Sequence, residues 1–402
     1  MRLNASSQPV SKIITVETFQ AWQVQRRTST LRRPVAGDDQ YFSLIFTSLL
    51  RIRKYFVIIS AKMDGLERIE AFAHKETSVA YTWTDIVPRR DRVQGCIWLF
   101  FVNGLGLPQV AWQSTITLLQ ANSTMSTLSG TSVVASTFDR YGQGLSQPPN
   151  DSGPEPHDCH EAAQEIQYMM DSLKQKHLSD IADEKLSIVI IGHSLGVPLT
   201  RLAFDTSAGY IPNHPPPLRG YIFLDSNVAS IDLMQLLPPL DVDPMSLPTD
   251  TSVEDLQKAR MFYKKMFSPD APNPESLSRV SLSHAVPASD GPLLPAWRYE
   301  MGSDQVGDQA TEIRPLLQVV EHDPEAFAEE GVKICTKGLT MRYINPAWHE
   351  YNLGLAKLCG HELASDLIVA RGAGHFVQRD NPDCVSGVIT KMVLEIVGEN
   401  TY

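Results

Sequence analysis

Cysteines are few in this sequence and follow no recognisable pattern. Five occur among 402 residues, widely spaced and without a C-x-x-C pair. An odd number of scattered cysteines argues against a disulfide framework and against a structural zinc site, and it is typical of a reducing compartment. We therefore expect an intracellular, cytoplasmic protein whose thiols are free.

Long apolar runs and an excess of positive charge are also missing. A membrane helix needs a run of about 18 apolar residues, and the nearest candidate, residues 41–60, is interrupted by Arg51, Arg53 and Lys54. The formal net charge of -11 gives no reason to expect a nucleic-acid partner. The basic first 36 residues lack the order of a signal peptide and are typical of a tail or of a mitochondrial presequence. We expect no stable membrane anchor.

Signatures of cofactors and metals are absent as well. The sequence contains neither a P-loop nor a G-x-G-x-x-G pattern, and residues 103–106, which come nearest, lack the third glycine. Histidines and carboxylates do not cluster at the spacing of metal ligands. We therefore predict neither a cofactor nor a metal.

The patterns that are present indicate an α/β protein. Hydrophobic residues make up 43% of the chain and charged residues 20%, as in ordinary globular proteins. Short apolar runs alternate with helical patterns, which is typical of βαβ units on a mostly parallel sheet. These runs are residues 96–102, 132–138, 186–191, 220–224, 316–320 and 366–370. Helices are predicted to begin near Asp158, at Asn345-Pro346, where Asn would cap and Pro take the first position, and at Asn381-Pro382.

Four segments differ in character. Residues 1–62 are poorly patterned, and we interpret them as an extension that is dispensable for folding and activity. The core would comprise residues 63–226, beginning with a hairpin, and residues 313–402. The proline-rich residues 227–312 between them predict either a lid over a site or a surface elaboration.

A G-H-S-L-G motif at residues 192–196 carries the chemistry. It follows an apolar strand at residues 187–191 and precedes a helix at residues 197–204. A sharp turn between strand and helix exposes the hydroxyl of Ser194 and directs the amides of the helix N-terminus at developing negative charge. The alternative interpretation is an incidental turn without a catalytic role.

With this motif the chain resembles the α/β-hydrolase superfamily over about residues 65–400. The resemblance implies an α/β-hydrolase fold with a mostly parallel sheet, flanking helices and a helical lid inserted after strand 6. Residues 101–106 resemble the loop after strand 3 of that family, and so the backbone amides of Leu105 and Leu195 would form an oxyanion hole. Residues 138–146 resemble a structural segment of the family, in which Asp139 and Arg140 would make local contacts.

The resemblance also nominates a general base and its acid. Residues 371–376 resemble the loop of the catalytic histidine, which implies His375 as the base. The usual acid position follows strand 7 and corresponds to Asp323. Asp225, at the end of the strand at residues 220–224, is the alternative acid, and Glu350 is a weaker third candidate.

The implied activity is that of a serine hydrolase that cleaves an ester, thioester or lactone through an acyl-enzyme on Ser194. Residues 223–226, 273–279 and 377–382 resemble lidded fungal hydrolases of secondary metabolism, which implies a small, apolar, polyketide-like substrate. Two other functions stay open. The same three residues also support a lyase or cyclase without net hydrolysis, and the fold also occurs in catalytically idle binding proteins.

Overall fold

The computed structural model describes eleven segments of the chain. They are residues 66–71, 77–89, 95–128, 130–146, 158–204, 218–229, 233–266, 297–299, 311–313, 315–358 and 366–399. All of them belong to one unit, residues 53–402. The predictions for residues 1–62 therefore lie outside the described residues.

Within the described segments, eight strands form one sheet. The strands in the described segments are β1 (Leu66–Ala71), β2 (Thr77–Val87), β3 (Gly95–Val102), β4 (Thr131–Phe138), β5 (Leu186–His193), β6 (Leu218–Leu224), β7 (Trp297–Tyr299), β8 (Thr311–Ile313), β9 (Leu316–His322) and β10 (Ile368–Ala370). The sheet order is β1-β2-β4-β3-β5-β6-β9-β10, and β7 pairs with β8 separately. The pairs β1–β2 and β2–β4 are antiparallel, whereas all later neighbours in the sheet are parallel. This confirms the predicted opening hairpin and the mostly parallel sheet.

The central strands are largely apolar because both faces of the sheet are covered. In β3, Trp98 and Phe100 point into one core cluster together with helix residue Met170. The alternate residue Leu99 points into the other cluster together with Ile389. Successive side chains of a strand face opposite sides, so a strand buried on both faces needs an unbroken apolar sequence.

Helices flank the sheet. Those in the described segments are α1 (Gln113–Ala121), α2 (Ser123–Ser126), α3 (Cys159–His177), α4 (Gly196–Ala203), α5 (Val253–Met266), α6 (Pro324–Glu330), α7 (Lys337–Leu339), α8 (Asn345–Leu355), α9 (Val377–Asp380) and α10 (Pro382–Glu399). Helix α3 begins where the sequence predicted it, because Asp158 and Glu161 form a capping box. None of the described helices combines the length and the apolar character that crossing a membrane requires.

The helix predicted to open at Asn345 is present, but Asn345 is not its cap. A π-helical turn, Thr340–Ile344, runs directly into α8, so Asn345 already has helical dihedral angles. Its side chain instead donates a hydrogen bond from Nδ2 to the carbonyl of Pro324, over 2.9 Å. This leaves its amide oxygen facing the site described below.

The predicted insertion, residues 227–312, is described only in part. Helix α5 buries Leu256 and Ala259 in the core cluster that also contains α8 residues. The Gly338 amide donates to Asp250 over 2.8 Å, and Arg342 donates to the Ser246 carbonyl over 2.7 Å. This part is therefore joined to the α7–α8 region, and its function as a lid stays a prediction.

Candidate active site

Four neighbouring strands bring the candidate residues to one edge of the sheet. Ser194 follows β5, Asp225 follows β6, His322 ends β9, and His375 lies in the loop after β10. These strands are consecutive in the sheet order β5-β6-β9-β10 and are parallel. Their carboxyl ends therefore share one edge, where open α/β sheets bind their ligands.

Ser194 occupies a strained turn between β5 and α4. Its φ angle is 52°, a conformation that costs a non-glycine residue energy and persists only where the surroundings enforce it. Its amide donates to the Leu224 carbonyl over 3.0 Å. A Cβ atom on Gly196 would lie 2.5 Å from the Val102 carbonyl oxygen and 2.6 Å from that of Asn103. Glycine therefore permits helix α4 to start directly against β3, which holds the serine at the edge.

His375 lies against the serine. Its Nε2 atom is 2.8 Å from the Ser194 Oγ atom. The loop that carries it is held by its backbone, since the His375 amide donates to Glu330 over 3.0 Å and its carbonyl accepts from His193 Nε2 over 2.8 Å. The histidine is thus positioned on the hydroxyl by its main chain as well as by its ring.

Asp225 is the carboxylate that contacts His375. The distance from His375 Nδ1 to Asp225 Oδ2 is 2.6 Å, and Asp225 is completely buried. Its φ angle of 41° is again left-handed, and its amide donates to the Val320 carbonyl over 2.7 Å. Ser194, His375 and Asp225 therefore form a continuous chain of hydrogen bonds, with the alternative acid of the sequence analysis at its end.

Asp323, the acid that the sequence favoured, does not contact His375. Its carboxylate accepts hydrogen bonds from the amides of Glu325 (3.0 Å) and Gly372 (3.1 Å), and it is the N-cap of helix α6. The sequence contains the sign of this role, because Asp323 precedes Pro324, and proline at the first position of a helix is typical after a capping residue. The third candidate, Glu350, is exposed on α8.

His322 was missed by the sequence analysis. Its Nδ1 atom lies 2.7 Å from Asp225 Oδ1, so that one carboxylate contacts two imidazoles. Its Nε2 atom lies 3.3 Å from Asn345 Oδ1, and its ring stacks on Phe327 with a centroid distance of 4.1 Å. The only signal for it in the sequence is its position at the end of a predicted strand.

The buried charges shift the pKa values of their neighbours. Burial alone would raise the pKa of Asp225, but the charge and hydrogen bonds of His322 and His375 hold it well below its usual range. Burial alone would lower the pKa of His322, but the Asp225 carboxylate outweighs it and raises the pKa above the usual value. Burial lowers the pKa of His193 to about 3, so His193 is neutral.

The loop predicted to supply the oxyanion hole lies beside the serine. A Cβ atom on Gly104 would be 3.0 Å from the Ser194 Cβ atom. The buried guanidinium of Arg140 donates to the carbonyls of Asn103 and Gly104, and the Asn103 side chain donates to the Phe138 carbonyl over 2.8 Å. These bonds fix the course of the chain into Leu105.

Asp139 supports the same region through main-chain groups. Its carboxylate accepts from the amides of Gln109 (2.6 Å) and Leu145 (2.9 Å). Its pKa is raised by burial, which these hydrogen bonds only partly offset. Asp139 and Arg140 thus contact the loop at residues 103–109 as well as the nearby Leu145, so their contacts reach beyond the local pairing that the sequence predicted.

Aromatic rings surround the histidine. Trp348 packs against His375 edge to face with a centroid distance of 5.7 Å, and the ring of Phe327 lies 6.2 Å away. Phe376 lies 5.4 Å from the His375 ring. Three aromatic rings therefore pack around the His375 imidazole. Within the described residues, no group of three or more His, Cys, Asp or Glu side chains is arranged to hold a metal ion.

Comparisons with solved structures find similar folds at low sequence identity. A thermophilic esterase from Thermogutta terrifontis is 13% identical, with 82% of this chain and 98% of that chain covered and a TM-score of 0.45. A peroxisomal α/β hydrolase from Saccharomyces cerevisiae is 14% identical, with 83% and 90% covered and a TM-score of 0.46. A thermostable carboxyl esterase from Bacillus coagulans is 13% identical, with 83% and 100% covered and a TM-score of 0.46. None of the three indicates a substrate for this chain.

Comparison at the level of sequence families is more decisive. No curated protein sequence matches the chain. The family model described as the alpha/beta hydrolase family, however, matches residues 99–384, which include both the serine turn and the histidine loop. A match over this majority of the chain, together with the sheet order and the strand–turn–helix at Ser194, shows that the protein belongs to the α/β hydrolase family.

Proposed function

We propose that this protein is a serine hydrolase that cleaves an ester, thioester or lactone through an acyl-enzyme on Ser194. The observation that carries the proposal is the hydrogen-bonded chain from the Ser194 hydroxyl through His375 to Asp225, with distances of 2.8 Å and 2.6 Å. A hydroxyl within hydrogen-bond reach of an imidazole, whose other nitrogen is held by a carboxylate, has the arrangement of an activated nucleophile.

In this mechanism His375 accepts the serine proton as Ser194 attacks the carbonyl carbon, and it then donates the proton to the leaving alcohol or thiol. Asp225 holds the tautomer in which Nδ1 carries the proton and stabilises the imidazolium that forms. Water then attacks the acyl-enzyme with His375 again acting as base. The assignment of the acid to Asp225 in place of Asp323 is supported by the contact with His375 and by its complete burial.

The oxyanion hole in this proposal consists of the backbone amides of Leu105 and Leu195. Leu195 directly precedes helix α4, whose N-terminus adds a favourable dipole. The close approach of Gly104 to Ser194 supports the contribution of the other loop. Two such donors stabilise the charge that develops on the carbonyl oxygen.

The substrate in this proposal is a small molecule with an apolar group next to its scissile carbonyl. The support is the aromatic surrounding of His375, formed by Trp348, Phe327 and Phe376. A polyketide-like acyl group, implied by the resemblance to lidded fungal hydrolases, has this character. No observation favours a lyase or cyclase reaction over hydrolysis.

The test compares Ser194→Ala with the wild type. We expect the wild type to hydrolyse p-nitrophenyl acetate or butyrate and to be labelled by a fluorophosphonate probe, and Ser194→Ala to do neither. The matched control is Ser126→Ala, since Ser126 is an exposed serine of α2. A folded wild type that neither hydrolyses nor becomes labelled would contradict the proposal and favour an idle fold. If Ser194 is labelled but the products contain no added water, the protein catalyses a cyclisation or a lyase reaction instead of hydrolysis.

A further inference from the structure

His322 faces hydrogen-bond acceptors with both of its nitrogens. Nδ1 lies 2.7 Å from a carboxylate oxygen of Asp225. Nε2 lies 3.3 Å from the side chain of Asn345, whose Nδ2 group donates to the Pro324 carbonyl, so that the oxygen of the amide points at His322. A neutral imidazole has one N–H group and can satisfy one acceptor only. Two acceptors require a proton on each nitrogen, which is the imidazolium form.

The other charges near His322 agree with a cation at this position. Glu321 precedes His322 on β9 and is buried. Its carboxylate pairs with His349 of α8 over 2.9 Å, and burial raises the pKa of this carboxyl. Asp225 at the end of β6 supplies the direct counter-charge, and His375 contacts the opposite oxygen of that carboxylate. The remaining contacts, with the rings of Phe327 and Trp348, carry no charge.

The groups around His375 complete the electrostatic environment. His193 is neutral and donates to the backbone carbonyl of His375. Glu330 accepts from its amide, and this carboxylate is itself paired with Arg379, over 2.7 Å. Arg379 also contacts Asp380 over 2.6 Å. The carboxylate that His375 contacts most directly is thus that of Asp225, which it shares with His322.

We propose that His322 is a positioning residue that is held as an imidazolium at neutral pH, and that its charge weakens the attraction of the Asp225 carboxylate for a proton on the His375 ring. This inference rests on the proposed hydrolase function. A lone buried carboxylate next to His375 favours protonation of that ring, because an opposite charge stabilises the charged form. A second cation on the same carboxylate offsets this effect, so removing the charge of His322 should strengthen the attraction of Asp225 for a proton on that ring.

The two contacts also orient the carboxylate. His322 holds Oδ1 of Asp225 from the β9 side, and His375 contacts Oδ2. The backbone amide of His322 lies 3.3 Å from the same Oδ1 atom. Asp225 therefore presents one defined oxygen to His375, which fixes the ring orientation as well as its charge.

The test is the pH profile of kcat/KM for a p-nitrophenyl ester in His322→Asn. The asparagine amide can still donate a hydrogen bond to Asp225 but has no charge, so it separates charge from positioning. We expect the acidic limb of the profile to move to higher pH by roughly one unit, with a much smaller loss of activity at pH 9 than at pH 6. The matched control is His160→Asn, since His160 is exposed on α3 and its replacement should leave the profile unchanged.

A second variant keeps the test decisive if His322→Asn does not fold. Asn345→Leu removes the acceptor at Nε2 while His322 and Asp225 stay in place, and we expect a shift of the acidic limb in the same direction. An acidic limb that stays at the wild-type pH in folded, active variants would overturn the proposal.

A measurement that needs no activity distinguishes this inference from the proposed function. In protein with ¹⁵N-labelled histidine, the signals of His322 are identified by comparison with Asn345→Leu or His322→Asn. We expect both of its nitrogens to be protonated at pH 7 in the wild type and in Ser194→Ala. A neutral His322 overturns the inference even if the enzyme is active. A wild type that neither labels nor hydrolyses contradicts the hydrolase proposal whatever the charge of His322.

Discussion

At the scale of single residues, Asp225 has the most constrained environment of the candidate site. It is fully buried, has a left-handed backbone, and receives hydrogen bonds from two histidines on different oxygens. A buried carboxylate is stable only when its charge is compensated and its lone pairs are satisfied. Asp323 has none of these features, because it is partly exposed and accepts from backbone amides at the start of α6.

The first prediction compares the replacement of Asp225 by asparagine with the same replacement of Asp323. Asp225→Asn should lower kcat by about 10³- to 10⁴-fold, because a neutral amide no longer holds the Nδ1-protonated tautomer of His375 or stabilises its imidazolium. Asp323→Asn should leave kcat within about 3-fold, because asparagine also caps helices, and should cost on the order of 1 kcal/mol of stability. Steady-state kinetics with a p-nitrophenyl ester and urea unfolding measure both effects. The reverse ranking of the two kcat values would return the role of the acid to Asp323.

At the scale of elements, the site depends on two connections. The turn from β5 into α4 places Ser194, and it requires that the start of α4 lies directly on the end of β3. The loop from β10 to α9 places His375, and it is attached to α6 through Glu330. Both connections use backbone groups, so their sequences show glycine and polar residues rather than an apolar pattern.

The second prediction concerns the serine turn. Gly196→Ala should destabilise the protein by about 1–3 kcal/mol and lower its activity. The added methyl group would lie 2.5 Å from the carbonyl oxygen of Val102 and 2.6 Å from that of Asn103. The matched control is Gly387→Ala in α10, where nothing lies within 4 Å of the added Cβ. Helix propensity predicts that this control is stabilised by about 0.5–1 kcal/mol. Equal urea midpoints for the two variants would contradict the close approach.

The third prediction concerns the histidine loop. Glu330→Ala removes the acceptor of the His375 amide and should lower kcat/KM by about 10-fold, because small displacements of a catalytic group are costly. Glu330→Gln retains an oxygen acceptor for this amide and loses only the charge toward Arg379, so it should keep most of the activity. Fluorophosphonate labelling rates of both variants give the same comparison without turnover. If both variants lose activity equally, the ion pair rather than the amide contact holds the loop.

At the scale of the whole molecule, the buried pair of Asp225 and His322 links stability to pH. The pKa of His322 is raised in the folded protein, so its contribution is complete below its unfolded value of about 6.5 and is lost as the pH rises through the folded value. The pKa of Asp225 is lowered, so its contribution is complete above about 3.9 and is lost as the pH falls through the folded value. The pair therefore stabilises the fold most between about pH 4 and pH 6.5.

The fourth prediction follows from this window. The loss of unfolding free energy caused by His322→Asn should be larger at pH 6 than at pH 9, because at the higher pH the wild type has itself lost part of the contribution of His322. Urea unfolding of both proteins at the two pH values measures the difference. Subtracting the unfolding free energy of the variant from that of the wild type at each pH removes the separate effect of His193. Because His193 is buried as a neutral ring, it costs stability in both proteins as the pH falls below about 6.5. A loss that grows toward pH 9 would mean that His322 is neutral in the folded protein.

Much of the molecule follows from local sequence patterns. The apolar runs predicted β3 to β6 and β9 because strands covered on both faces are largely apolar. The helical pattern near Asp158 and the Asn381-Pro382 pair predicted where two helices begin. In the structure Asp158 caps α3, and Asn381 accepts from the Cys384 amide over 3.0 Å. The G-H-S-L-G motif predicted the strand–turn–helix at Ser194, and the order of Ser194 before His375 agrees with the family.

The carboxylate that contacts His375, and the second histidine on that carboxylate, could be identified only from the tertiary structure. Asp225 and Asp323 both follow strands that end at the same sheet edge, so the sequence offers two carboxylates at equivalent positions. One is turned into the site by a left-handed backbone that its neighbours enforce, while the other is held by the amides of α6 and the loop at Gly372. His322 meets Asp225 across 97 positions of the chain. Sequence by itself determined most strands of the large sheet and the strand–turn–helix at Ser194, because these features are local. The pairing of charges depends instead on which strand ends become neighbours in the folded sheet.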